Sequence, residues 1–171
     1  PPSVPGAISL DGNRALFGSI TRERMAGPPM NLVRMTGRLV KGRGDGAGFT
    51  EIPWVKEAFT RILGFEPYPG TVNLRVDLSP EAKDALRVIW KSEGILMHPP
   101  EGSGFCAARC FRGRLGAACS AGLVIPDVEG YYEDVLELVA PVNVREALGV
   151  SEGDPIEVEI DLDPGSESGA T

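Results

Sequence analysis

Histidine is nearly absent from this sequence. His98 is the only one, and it stands beside Pro99 and Pro100 in a loop-like stretch, which argues against a histidine-based triad or a zinc centre. Cysteine is scarce and odd in number, at Cys106, Cys110 and Cys119. The uneven spacing gives no disulfide framework. Without a Cys-x-x-Cys pair, the three read as small apolar residues on buried strands rather than as thiolate ligands. Reduced thiols point to the cytoplasm. Positive charge is in deficit as well, with 17 Lys and Arg against 24 Asp and Glu and a net charge of −7 at pH 7. That balance repels a phosphate polyanion and counts against a nucleic-acid partner, yet a few local contacts can still hold a small nucleotide. No apolar run approaches the roughly 20 residues of a membrane-spanning helix, and the first residues lack a signal-peptide pattern. Neither nucleic acid nor a membrane is therefore an expected partner.

What is present is enough for one domain: 171 residues, 42% of them hydrophobic. Residues 1–29 are rich in Pro and Gly and read as an N-terminal extension, either flexible or folded into a hairpin turning at Asp11-Gly12. Met30 is the expected start of a compact domain that runs to residue 163, and residues 164–171 carry no hydrophobic pattern and read as a disordered tail. Inside the domain the pattern is mostly β. Strands are expected over residues 32–40, 71–76, 104–111, 115–125, 135–139 and 156–162. Residues 54–63 read as a helix stopped by Gly64, and Ser79-Pro80 opens a second one with Ala82, Leu86 and Ile89 inward. Asn143 is placed to cap a short turn ending at Gly149, and residues 151–154 read as a tight turn. Many short strands and two or three short helices, without regular strand–helix alternation, describe a mainly β fold: a small closed barrel rather than a dinucleotide-binding sheet.

Three segments carry candidate chemistry. In Lys41-Gly-Arg-Gly-Asp-Gly-Ala-Gly48, glycines at every second position let the backbone approach a ligand and turn its N–H groups towards phosphate. The segment is neither a Walker loop nor a dinucleotide fingerprint, and by itself it reads more readily as a flexible hairpin loop. In Gly70-Thr-Val-Asn-Leu74, strand periodicity puts Thr71 and Asn73 on one face. Two oxygens so placed can reach one hard cation such as Mg²⁺, or simply form a solvent-facing edge. In Ala140-Pro-Val-Asn-Val-Arg-Glu146, Arg145 can grip a phosphate or base edge, or pair with Glu146 or Glu152. Arg109, Arg112 and Arg114 read as a solvated strand face.

Taken together these segments resemble one family. The run Ile62-Leu-Gly-Phe-Glu-Pro-Tyr-Pro-Gly-Thr-Val-Asn-Leu74 resembles the central signature of the archaeal-type CTP-dependent riboflavin kinases. The glycine-rich segment stands at the matching distance upstream, and Ala121-Gly-Leu-Val-Ile-Pro126, Glu137-Leu-Val-Ala-Pro141 and Leu148-Gly-Val-Ser-Glu-Gly-Asp154 follow in the same order. The similarity covers about residues 31–162. It implies a six-stranded cradle-loop barrel that moves the γ-phosphate of CTP to the ribityl hydroxyl of riboflavin, giving FMN and CDP. By that resemblance Gly42, Arg43, Gly44, Asp45, Gly46 and Ala47 wrap the nucleotide, and Val142, Asn143, Val144 and Arg145 contact its cytidine end. Thr71 and Asn73 hold Mg²⁺, while Glu129 and Glu137 lie at the flavin. Ala47 stands where the family has a basic residue and Glu129 where it has a hydroxyl, and residues 104–126 are slightly shorter than usual.

Phosphoryl transfer passes through a loose transition state, so positioning and electrostatics do most of the work. Lys41 and Arg43 are candidate helpers, and Glu51 and Glu137 are the acidic candidates for a general base. The rival readings are a kinase for another small alcohol, a non-catalytic flavin or nucleotide sensor, and a barrel-type DNA-binding regulator. The Thr71/Asn73 pair counts against a sensor, which needs no metal clamp, and the acidic charge counts against the regulator. The expected form is a cytoplasmic monomer.

Overall fold

The computed structural model describes residues 31–131 and 134–165. The N-terminal extension with its Asp11-Gly12 turn, and the tail beyond residue 165, lie outside them. Within them the chain runs β1 (Leu32–Val40), α1 (Gly46–Glu51), α2 (Pro53–Leu63), β2 (Val72–Val76), α3 (Pro80–Lys91), β3 (Ile95–Met97), β4 (Ala108–Leu115), β5 (Cys119–Pro126), β6 (Val135–Val139), α4 (Val144–Leu148) and β7 (Pro155–Asp161).

All pairings are antiparallel, in the order β3-β4-β5-β6-β2-β1-β7, and β4 also pairs with β7. That last pairing closes β4, β5, β6, β2, β1 and β7 into a six-stranded ring. β3 is a short addition that takes the same edge of β4 further back, at Ala108–Cys110. Closure leaves those six strands without the bare edge of an open sheet. The ring closes where Gly113 faces Ile160: a Cβ there would stand 2.5 Å from the Glu159 carbonyl. The crowding explains why a glycine sits inside this strand.

Alternation along the strands fills the ring. Leu39, Leu74, Val76, Phe111, Leu115, Leu123, Leu136, Leu138, Val158 and Ile160 point inward and are buried. The helix α3 adds Ala82, Leu86 and Ile89 to the same core. Ser79 caps it by accepting from the Ala82 N–H at 3.2 Å, with Pro80 in the first turn. The helix α2 lays Val55, Ala58, Phe59 and Ile62 on the other side of the sheet, against Cys110, Val124 and Val139. Burying each of these larger side chains contributes on the order of 1.5–3 kcal/mol. Covered on both faces, β5 is buried at nearly every position rather than alternating.

Several expectations need correction. Four helices occur among the described residues, because the end of the glycine-rich segment read as loop winds into a short helix, Gly46–Glu51. The 104–111 strand begins only at Ala108 and runs on to Leu115, and its partner begins at Cys119. The Arg112-Gly113-Arg114 stretch looked like a break in the pattern but is strand interior. Cys110 and Cys119 are buried on strands as expected, whereas Cys106 is exposed in the preceding loop. Arg109 is no solvated side chain: it donates to the Trp90 and Ser92 carbonyls at 3.1 and 2.6 Å, which closes the C-terminal end of α3. Arg112 reaches from an exposed position to the Ile62 and Pro164 carbonyls, at 3.0 and 3.2 Å. His98 is exposed in a loop.

A divided cleft on the outer wall of the barrel

The inward side chains of β2 and β6 leave the residues between them facing out. In β2 these are Asn73 and Arg75, with Thr71 just before the strand, and in β6 they are Val135 and Glu137. Asn73 lies directly opposite Glu137 in the β2–β6 register and opposite Val40 in the β1–β2 register. A polar strip on the outside of a barrel is ordinarily bathed in water. Here the glycine-rich segment after β1 rises on one side of it and residues 128–131 rise on the other.

The result is a cleft of about 570 Å³ walled by Lys41, Gly42, Arg43, Gly44, Asp45 and Gly46, by Thr71, Asn73 and Arg75, and by Glu129, Tyr131 and Glu137. A second hollow of about 190 Å³ adjoins it, lined by Tyr68, Gly70 and Val72 and by Val142, Asn143, Val144 and Arg145. Val40, Gly42, Thr71 and Asn73 line both hollows, and the last three form the polar divide between them. Of the segment 42–47, Ala47 alone lines neither; its carbonyl instead accepts from the Thr50 hydroxyl at 3.2 Å. Glu51, at the end of α1, is exposed and lines neither hollow.

The glycines are needed where the loop meets the strand. A Cβ on Gly42 would collide with the Asn73 amide, and one on Gly46 would stand 2.5 Å from the Thr71 Oγ1. The loop backbone therefore touches both polar side chains directly. Thr50 holds the far end of this contact. It is the only buried polar or charged residue among those described. Its hydroxyl donates towards the Gly46 carbonyl at 3.1 Å and accepts from the Gly70 N–H at 2.9 Å. Phe49 fixes the same helical turn by packing edge-on to Phe59 of α2, with ring centroids 6.3 Å apart.

On the opposite rim the Tyr131 hydroxyl donates to Glu137 Oε2 at 2.7 Å. Burial, the bond to Glu137 and the charge of that carboxylate hold the Tyr131 hydroxyl well above the usual phenol range, against an opposing influence from Arg43. Tyr131 therefore stays protonated and remains a donor. In the smaller hollow, the Asn143 side chain accepts from the Glu146 N–H at 3.3 Å and caps α4, which sets Val144 and Arg145 against the wall. The chain before β2 is tied down by the Tyr68 N–H, which donates to the Ala140 carbonyl at 2.7 Å.

No group of three or more His, Cys, Asp or Glu side chains is placed to hold a metal among the described residues. Thr71 and Asn73 offer neutral oxygens at the wall of the larger cleft, and the missing Cβ atoms of Gly42 and Gly46 let the loop backbone come up against them. That donor set fits a hard cation which keeps waters and draws its remaining ligands from phosphate, the habit of Mg²⁺. Thr50 and Tyr131 were missed in the sequence reading. An isolated threonine and a tyrosine near a turn carry no signal until their partners are known.

No helix among the described residues is long and apolar enough to cross a membrane. Comparison with known proteins places the chain. The model of the CTP-dependent riboflavin kinase family, described as domain of unknown function DUF120, matches residues 39–160. A riboflavin kinase of Methanoregula boonei is 38% identical over 133 residues, covering 75% of this chain and 58% of that protein. The riboflavin kinase of Pyrobaculum arsenaticum is 36% identical over 131 residues, with 75% and 60% covered. That of Methanoculleus marisnigri is 34% identical over 164 residues, with 92% and 71% covered. The chain thus spans 58% and 60% of the length of the first two relatives. With most of its length matched, the chain belongs to the CTP-dependent riboflavin kinase family.

Proposed function

We propose that this protein is a CTP-dependent riboflavin kinase, transferring the γ-phosphate of CTP to the ribityl hydroxyl of riboflavin to give FMN and CDP. The observation that carries the reading is the divided cleft, with Gly42, Thr71 and Asn73 common to both halves. The smaller hollow, with Val142, Asn143, Val144 and Arg145, takes the cytidine end of the donor. Gly42, Arg43, Gly44, Asp45 and Gly46 wrap the phosphates where they cross the divide. The larger hollow takes the acceptor, with Glu129 and Glu137 at the flavin. Ala47 would end this wrap, its side chain lining neither hollow.

Thr71 and Asn73 would hold Mg²⁺, which when bound neutralises charge on the phosphoryl oxygens. The remaining work belongs to the chain itself. Lys41 and Arg43 bring positive charge to the same wall, where it favours the phosphoryl charge of the transition state. Glu137, held by Tyr131, is the carboxylate best placed to take the proton of the acceptor hydroxyl, because it stands opposite Asn73. The donor base is carried by family membership rather than by any contact described above. A cytoplasmic monomer is the working form that goes with this reading, with no nucleic-acid or membrane partner.

Incubation of the protein with riboflavin, CTP and Mg²⁺, followed by chromatography of the flavins, should give FMN and an equal amount of CDP. Riboflavin recovered unchanged under all conditions of nucleotide and metal would overturn the proposal.

A further inference from the structure

We infer that Thr50 is a positioning residue that fixes the glycine-rich loop against Thr71 and so sets the affinity for the nucleotide triphosphate with its metal ion. This rests on the kinase reading above. Thr50 is 2% exposed, in an interior otherwise built of apolar side chains among the described residues. A buried hydroxyl is retained at a desolvation cost unless its hydrogen bonds are met. Here they are met from two directions. The hydroxyl donates into the loop, at the Gly46 and Ala47 carbonyls (3.1 and 3.2 Å), and accepts from the Gly70 N–H (2.9 Å).

The two ends of this link are informative. Gly46 is the residue whose backbone abuts the Thr71 hydroxyl. Gly70 is the residue immediately before Thr71. One side chain therefore ties Gly46 and Gly70, 24 residues apart in sequence and on either side of that contact, to the same oxygen. Loss of the link removes hydrogen bonds and no apolar side chain. It frees the loop to drift from Thr71, and weakening one hydrogen bond to a charged phosphate in this way costs roughly 10- to 100-fold in affinity.

The test compares wild type with Thr50→Val, which keeps the shape and removes the hydroxyl, and Thr50→Ser, which keeps the hydroxyl. Binding of CTP with Mg²⁺ is measured by calorimetry, and steady-state constants for both substrates are measured in parallel. Thr50→Val should weaken CTP binding and raise its KM by about 10- to 100-fold, with the riboflavin KM within about twofold of wild type. Thr50→Ser should restore CTP binding to within about threefold of wild type. Wild-type CTP affinity in Thr50→Val overturns the inference, as do equal losses for both substrates or a serine variant as weak as the valine one. A wild-type protein that binds CTP but forms no FMN sinks the kinase reading alone, and the affinities still decide the role of Thr50. A wild-type protein that binds no nucleotide overturns both.

Discussion

Asn73 on β2 and Glu137 on β6 are register partners on the outer face of the barrel. An amide and a carboxylate thus stand side by side on a rigid wall, one turned to the glycine-rich loop and the other held by Tyr131. Asn73 lines both of the hollows that the proposed reaction needs, one for the donor and one for the acceptor, and Glu137 lines the larger one.

Replacing Asn73 by Ala removes an oxygen from this junction without disturbing the core, since Leu74 and not Asn73 packs inward. FMN formation should fall about 100-fold or more, while the melting temperature and circular dichroism stay close to wild type. Turnover equal to wild type would show that the side chain has no part in holding the metal.

Gly46→Ala tests the close approach itself. The added methyl would stand 2.5 Å from the Thr71 Oγ1, so the loop or the threonine must shift. The KM for CTP should rise by about tenfold or more, and thermal stability should fall only slightly, because the loop lies at the surface. Unchanged nucleotide kinetics would mean that the loop does not need to touch Thr71.

Tyr131→Phe removes the hydroxyl that donates to Glu137 and keeps the ring. The carboxylate loses a hydrogen bond worth about 1.5–3 kcal/mol to a charged group at most, discounted for partial exposure. The riboflavin KM should rise several-fold while the CTP KM holds. Because the tyrosine hydroxyl is held well above the usual phenol range, the wild-type rate should show no step from its ionisation at ordinary assay pH. A larger effect on CTP than on riboflavin would reverse the proposed order of the two hollows.

The local parts of this arrangement were legible in the sequence, and the non-local ones were not. Ser79 and Asn143 act within three residues of themselves, so their caps could be read from spacing. Strand periodicity gave the shared face of Thr71 and Asn73. That the glycine-rich segment faces that pair depends on β1 and β2 being neighbours, which the ring determines. Thr50 was invisible because one of its partners lies 20 residues away. The strand through Arg112, Gly113 and Arg114 looked broken because its glycine answers to a carbonyl on β7 and its Arg112 to one at the end of α2.

The cysteines give a test of the fold that is independent of any reaction. Burial pushes the Cys110 thiol up from 9.0 to about 12, and Cys119 is raised in the same way. In the native protein one thiol, the exposed Cys106, should react promptly with a thiol reagent, and all three should react after denaturation. The folded-state value of Cys110 is raised, so its contribution to stability is fully present below pH 9 and is lost as the pH climbs towards 12. The slope is about 1.4 kcal/mol per pH unit for one such group. Cys110→Ala should flatten the alkaline limb of the stability curve. Cys110 reacting as quickly as Cys106 would contradict the packing of α2 on β4.

The most direct measurement of the central claim is the initial rate of FMN formation from riboflavin with each of CTP, ATP, GTP and UTP in turn, at equal concentration with Mg²⁺. The account predicts rapid, Mg²⁺-dependent turnover with CTP and little with ATP. FMN formed best from ATP would contradict the assignment of the smaller hollow to cytidine, and no FMN from any of the four would contradict the kinase reading as a whole.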